Sequence, residues 1–142
     1  MEFANTVMIE RSAQDVFEFL ADFENVPKWN YAIFETRKTS PGPVAVGTTY
    51  RQIRSVPARS EERFEVTEFE PGRRLAIRGN LGPFEGTLTY ELEPAGGGTR
   101  LTNSADLQAR GLAKLAAPLA VGRVREAVAA NLEKLKELLE SS

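Results

Sequence analysis

The chain contains no cysteine and no histidine. The first absence removes disulfides and thiol chemistry. The second removes histidine-based catalytic triads and the usual zinc sites, so metal binding would rest on carboxylates alone. No apolar run approaches the ~20 residues of a membrane span. The opening Met1-Glu2-Phe3-Ala4-Asn5 lacks the basic and apolar regions of a secretory signal, and a cytoplasmic location is expected. Neither sign of charge dominates: 18 basic residues against 20 acidic give a net charge of -2, which argues against a nucleic-acid partner. What remains is 142 residues, 42% hydrophobic and 27% charged, enough for one domain with a core and a cavity. No repeat, low-complexity tract or linker divides the chain, so residues 1–142 read as a single domain. Any catalysis must use Asp, Glu, Tyr, Lys or Arg, or shape.

Phe3, Val7 and Ile9 alternate along a first strand. Ser12, with Asp15 three positions later, reads as the cap of a helix carrying Val16, Phe17, Leu20 and Phe23 on one stripe. Asp22 caps a second short helix, limited by Pro27. From Tyr31 to about Gln108 the pattern is strand-like. It is interrupted at Ser40-Pro41-Gly42-Pro43, Pro57-Ala58-Arg59, Glu70-Pro71-Gly72-Arg73, Gly79–Pro83 and Pro94–Gly98. Such spacing predicts successive antiparallel hairpins. A long helix follows, from about Gly111 to Glu140. Its seam is Val121, Val124, Val128, Leu135 and Leu138, flanked by Leu132 and Leu139, with a break expected at Pro118. Asn131 interrupts the apolar seam.

Side-chain alternation then assigns faces. Leu92, Tyr90 and Leu88 fall opposite Leu101, Asn103 and Ala105, all inward. Across the Pro57 turn, Arg54, Gln52 and Tyr50 fall opposite Glu62, Phe64 and Val66, although Ile53 contradicts an inward face there. A concave sheet faced by the short side chains Val121, Val124, Ala127 and Val128 leaves space. An enclosed cavity of ~300–1,000 Å³ is expected. Its walls are expected to include Trp29, Tyr50, Gln52, Phe64, Ile77, Leu88, Tyr90, Asn103, Val124, Ala127, Val128 and Asn131.

Several of these residues carry two readings. Trp29 is either at the cavity mouth or a packing anchor for the two helices. Arg54 and Glu62 are either a buried pair serving a polar ligand or acid–base work, or a cross-strand surface pair. Asn103 and Asn131 either orient a ligand oxygen or satisfy each other, Tyr90 or a water. Gly79–Gly86 is a lid or a plain hairpin turn.

Specific residues also carry a resemblance. Ile9, the Ser12–Phe17 helix start, Asp22, Pro27 and Trp29 resemble the opening of the START-like (SRPBCC) superfamily, in its polyketide cyclase/dehydrase-like branch. Val46-Gly47-Thr48, Phe69-x-Pro71-x-Arg73, Gly97-Gly98-Thr99-Arg100-Leu101-Thr102 and Asn131-Leu132-x-x-Leu135-Lys136 follow in the same order. Arg11-Ser12 departs from the Ala-Pro pair of many relatives. The resemblance implies an α+β helix-grip (START/Bet v 1-like) fold. That fold has a curved seven-stranded antiparallel sheet, two short helices after the first strand, and a long C-terminal helix over the concave face. It implies a deep apolar cavity and a lipid, polyketide or aromatic ligand. No cofactor and no metal are expected, and the chain is expected to be a monomer or weak homodimer.

Three functions follow. The chain is a non-catalytic carrier or sensor of a small apolar or amphipathic molecule. Or it is a cyclase or dehydratase in which Arg54 stabilises an enolate and Glu62 or Tyr90 moves protons. Or it is a protein-interaction module with a filled core. Converging polar groups inside a cavity would favour the second, an apolar lining the first, and no cavity the third.

Overall fold

The computed structural model describes residues 1–111 and 113–142, with the side chains of 113–120 left aside. Alternation of apolar and polar residues produces seven strands: β1 (Glu2–Ile9), β2 (Ile33–Lys38), β3 (Thr49–Arg54), β4 (Ser60–Glu70), β5 (Arg74–Leu81), β6 (Phe84–Ala95) and β7 (Gly98–Ala109). They form one antiparallel sheet in the order β1-β7-β6-β5-β4-β3-β2, as a run of hairpins dictates. Between β1 and β2 lie α1 (Ala13–Ala21), a 3-10 turn (Phe23–Asn25) and α2 (Val26–Trp29). The chain closes with α3 (Ala113–Glu140). The expected break at Pro118 lies outside the described residues.

The local signals act as read. The Ser12 hydroxyl accepts a hydrogen bond from the Asp15 amide at 3.1 Å, and the Asp22 carboxylate accepts one from the Glu24 amide at 3.3 Å. The Asp15 carboxylate turns to Arg11 at 3.0 Å. α1 buries Val16, Phe17 and Leu20, and Phe17 meets Phe69 edge-on at 5.3 Å. Pro27 sits in the first turn of α2, where its missing amide is tolerated.

The β6–β7 register is the expected one, with Leu92↔Leu101, Tyr90↔Asn103 and Leu88↔Ala105. The β3–β4 register is shifted by two residues. Arg54 pairs with Ser60, Gln52 with Glu62 and Tyr50 with Phe64. The five-residue loop 55–59 is centred on Pro57, one position earlier than the turn residues suggest. An even slip keeps every side chain on its face. Arg54 and Glu62 therefore become diagonal neighbours and both still point inward. Ile53 lies on the outer face between Glu35 and Glu61.

Two glycines are paired across β5 and β6, Gly79↔Gly86. A Cβ at Gly79 would collide with the Arg63 carbonyl oxygen, and one at Gly86 with that of Asp106. Only glycine lets the backbones approach this closely.

α3 is docked mainly on β1, β7 and α2. Its C-terminal half buries Leu132, Leu135 and Leu139 at 2%, 0% and 4% exposure, while Leu138 is only partly buried. The seam is thus rotated slightly from the expected one. Polar clamps fix this end. Lys136 Nζ donates to the Met8 carbonyl at 2.6 Å, the Glu10 amide donates to Glu140 at 2.8 Å, and Arg11 donates to the Leu139 carbonyl at 2.5 Å. The half nearer residue 121 carries smaller side chains and stands over open space.

Candidate functional site

Between the sheet and α3 lies a cavity of about 480 Å³. Two packed regions bound it. On one side the leucines of α3 join α1, α2 and the inner faces of β3–β7; on the other Phe3, Phe84, Ala105 and Leu107 form a smaller cluster with Val124 and Val128. The gap arises where α3 offers Val124, Ala127 and Val128 instead of leucine. Close packing is the rule, so unfilled volume of this size is unusual unless something occupies it.

The wall is mostly apolar. Trp29, Phe64, Ile77, Leu88, Val124, Ala127 and Val128 all line it, as do Gln52, Tyr90 and Asn131. Trp29 is 6% exposed, so it both anchors α2 and forms wall. Two expected wall residues lie elsewhere. Tyr50 stacks on Phe64 at 5.1 Å and meets Phe23 edge-on at 5.1 Å. These rings fill the space around it and keep it off the wall. Its hydroxyl is buried without a hydrogen-bond partner, and burial, with Asp22 and Glu24 nearby, pushes its pKa up to about 12. Asn103 is 1% exposed, but its amide donates to the Thr89 carbonyl at 3.2 Å, so it serves the sheet.

Arg54 and Glu62 point inward and form a buried pair, not a cross-strand surface pair. The Glu62 side chain is 1% exposed and that of Arg54 16%. Arg54 Nε and Nη2 donate to the two carboxylate oxygens at 2.6 and 3.2 Å. Gln52 Nε2 donates to Glu62 at 2.7 Å, Ser60 Oγ at 3.4 Å, and the Gly82 amide completes the set. Gly82, at φ +66°, brings its amide in by a left-handed turn that only glycine adopts readily. The segment 79–86 is therefore a hairpin turn tethered to a buried carboxylate. Arg54 lines the cavity; Glu62 lies behind it, with its acceptor capacity used.

Tyr90 and Asn131 differ. Tyr90 is 5% exposed and Asn131 7%, yet neither the Tyr90 hydroxyl nor the Asn131 amide has a hydrogen-bond partner among the described residues. Burial raises the Tyr90 pKa well above the ordinary tyrosine value, so the group stays a neutral hydroxyl.

The cavity is not sealed. Its wall includes Tyr31, Val56, Pro57 and Arg123, all exposed, which mark an opening between the α2–β2 loop, the β3–β4 loop and α3. Pro83 of the β5–β6 turn completes the rim. The reading from sequence missed this rim because loops carry no face alternation. It also missed Phe3, Phe84 and Leu107, whose inward direction follows from the period-two pattern of β1, β6 and β7.

Comparison with known proteins agrees with this geometry. A crystallised protein of Thermus thermophilus superposes with a TM-score of 0.82 at 17% identity, covering 98% of this chain and 97% of that one. An aromatase/cyclase from a Streptomyces species gives 0.78 at 15% identity, covering 99% and 93%. The di-domain aromatase/cyclase of the steffimycin biosynthetic pathway gives 0.80 at 15% identity, covering 99% of this chain and 50% of that one. At such identities these likenesses establish the helix-grip fold alone. An uncharacterised protein of Mycobacterium tuberculosis is 34% identical over 107 residues, which are 70% of this chain and 61% of that protein. No described helix is long and apolar enough to cross a membrane. The model of the family described as polyketide cyclase / dehydrase and lipid transport matches residues 1–140, and the chain belongs to that family, within the START-like SRPBCC superfamily.

Proposed function

We propose that this protein binds a small, mostly apolar molecule of lipid, polyketide or aromatic type in the cavity under α3, as a carrier or sensor. The observation that carries this reading is the cavity itself: about 480 Å³, walled by aromatic and aliphatic side chains, within the usual size range of ligand sites. The polar wall groups support a neutral ligand. Arg54 is charge-balanced by Glu62, and Gln52 is held between Glu62 and the Thr36 hydroxyl at 3.3 Å. Of the buried wall groups, that leaves the Tyr90 hydroxyl and the Asn131 amide to meet a ligand hydroxyl or carbonyl, since buried polar groups require partners, while Arg123 stands exposed at the mouth.

The cyclase or dehydratase reading needs a group that moves protons at the reacting atoms. Glu62 accepts hydrogen bonds from four residues and sits behind the wall. Tyr90 stays protonated, which suits a donor and not a base. The arrangement favours binding over chemistry.

Intact-complex mass spectrometry of protein purified from its native host tests the reading. A bound neutral species of small mass, lost on denaturation, is the expected result. Bare protein, with no uptake from a lipid extract of that host, would count against it.

A further inference from the structure

We propose that the cavity mouth is a docking surface for an anionic lipid bilayer. Large exposed hydrophobic residues are Met8, Tyr31, Phe34, Val46 and Val56 among the described residues. Two of these five line the mouth, and a third, Phe34, lies three residues on from Tyr31 in the chain. Tyr31 and Val56 form wall and rim, at 66% and 41% exposure. Phe34, on β2, is 67% exposed, at a register shift between Ile33 and Glu35 that leaves it unpaired. Exposed Pro57 adds to the same rim.

The charge of the segments that supply this rim runs against that of the chain. The segments 26–34, 54–59, 81–84 and 121–124 contain Lys28, Arg54, Arg59 and Arg123 and no Asp or Glu, in a protein of net charge -2. Arg54 is balanced by Glu62; Lys28, Arg59 and Arg123 are exposed and join none of the ion pairs among the described residues. The acids nearest these segments include Glu24, Glu35, Glu61 and Glu85; the last three are each engaged by an arginine, and Glu24 accepts from the Lys38 backbone amide. The next acid along α3 is Glu126. Exposed aromatic and aliphatic side chains set among unpaired cations match the chemistry of an anionic lipid surface, where rings enter the headgroup zone and cations meet lipid charge. A soluble protein partner would need a complementary acidic face of defined shape, and nothing about this loop-built rim specifies one. Docked this way, the opening faces the hydrocarbon, and an apolar ligand reaches the cavity without crossing water.

Vesicle co-sedimentation tests the proposal without any bound ligand. The chain is expected to sediment with vesicles of phosphatidylcholine mixed with phosphatidylglycerol, not with phosphatidylcholine alone, and to be released by salt. Neutralising Lys28→Gln with Arg59→Gln should weaken the partition about fivefold for each cation removed, from the ~1 kcal/mol each contributes near a membrane. Phe34→Ser, outside the cavity wall, should weaken it further. No sedimentation with the anionic vesicles, equal sedimentation with neutral ones, or an undiminished partition of the double variant overturns the proposal. The wild-type salt series decides the matter even where a variant folds poorly. Uptake of a soluble apolar probe, measured without vesicles, reports separately on the cavity; its persistence alongside failed sedimentation would overturn docking alone.

Discussion

Glu62→Gln isolates the energetic role of the buried pair. The substitution keeps the side-chain shape and one acceptor oxygen for the Gly82 amide, but removes the charge. Arg54, with its side chain only 16% exposed, then faces an amide where two carboxylate oxygens stood at 2.6 and 3.2 Å. Breaking a buried pair from one side costs roughly 3–5 kcal/mol, and the partial exposure of Arg54 puts this case at about 3 kcal/mol. Arg54→Met leaves the carboxylate with donors from Gln52 and Gly82. A loss of about 2 kcal/mol is expected there, below the full cost of an unpaired charge. The double variant removes both charges and keeps an acceptor for Gly82. It should lose about 2 kcal/mol less than the sum of the singles, the coupling expected of groups in direct contact. Urea unfolding at unchanged m-value measures all three. If Glu62→Gln loses less than about 1 kcal/mol, or the two substitutions add, the pair is not the anchor described.

Leu135 is fully buried in the α3 seam, so Leu135→Ala should cost ~2–5 kcal/mol in denaturant melts; a loss below about 1 kcal/mol would mean the helix face is misassigned. Tyr50 has a buried hydroxyl with no partner, so Tyr50→Phe should leave stability unchanged or raise it by up to ~1 kcal/mol. The raised Tyr50 pKa favours the neutral form in the fold. Its contribution is complete below the ordinary tyrosine value of 10.0 and is lost as pH rises through about 12, so Tyr50→Phe should flatten the alkaline fall in stability. An equally steep fall in the variant would refute that assignment. Asn131→Leu should leave the unfolding midpoint unchanged or raised while weakening ligand retention; a loss above about 1 kcal/mol would reveal a structural partner for the amide.

The sequence made the architecture legible where local signals and face alternation agree. The Gly96–Gly98 turn is short enough to pin β6 on β7, and it sets Tyr90 opposite Asn103. The 55–59 loop is longer, and its centre is not set by residue type; the register moved by two, yet the faces held because the side-chain period is two. Alternation gives direction but not depth. Tyr50 and Asn103 point inward as expected, but one is enclosed by Phe23 and Phe64, and the other is spent on the Thr89 carbonyl. The direction of Arg54 and Glu62 stayed open because charged strand residues usually face water. What turns them inward is a donor set drawn from β3, β4 and the β5–β6 turn, which no local window contains. The mouth was invisible for a related reason: its residues come from loops that meet only in the fold.

Ala127 stands on α3 over the cavity with a side chain too short to fill it. Titration of an apolar fluorescent probe into wild-type protein and Ala127→Phe is the most direct test of a small-molecule site. Saturable uptake by the wild type, lost in a variant whose fold and melting are unchanged, is the predicted result. Equal uptake by both, or none by the wild type, would contradict it and leave the protein-interaction reading in its place.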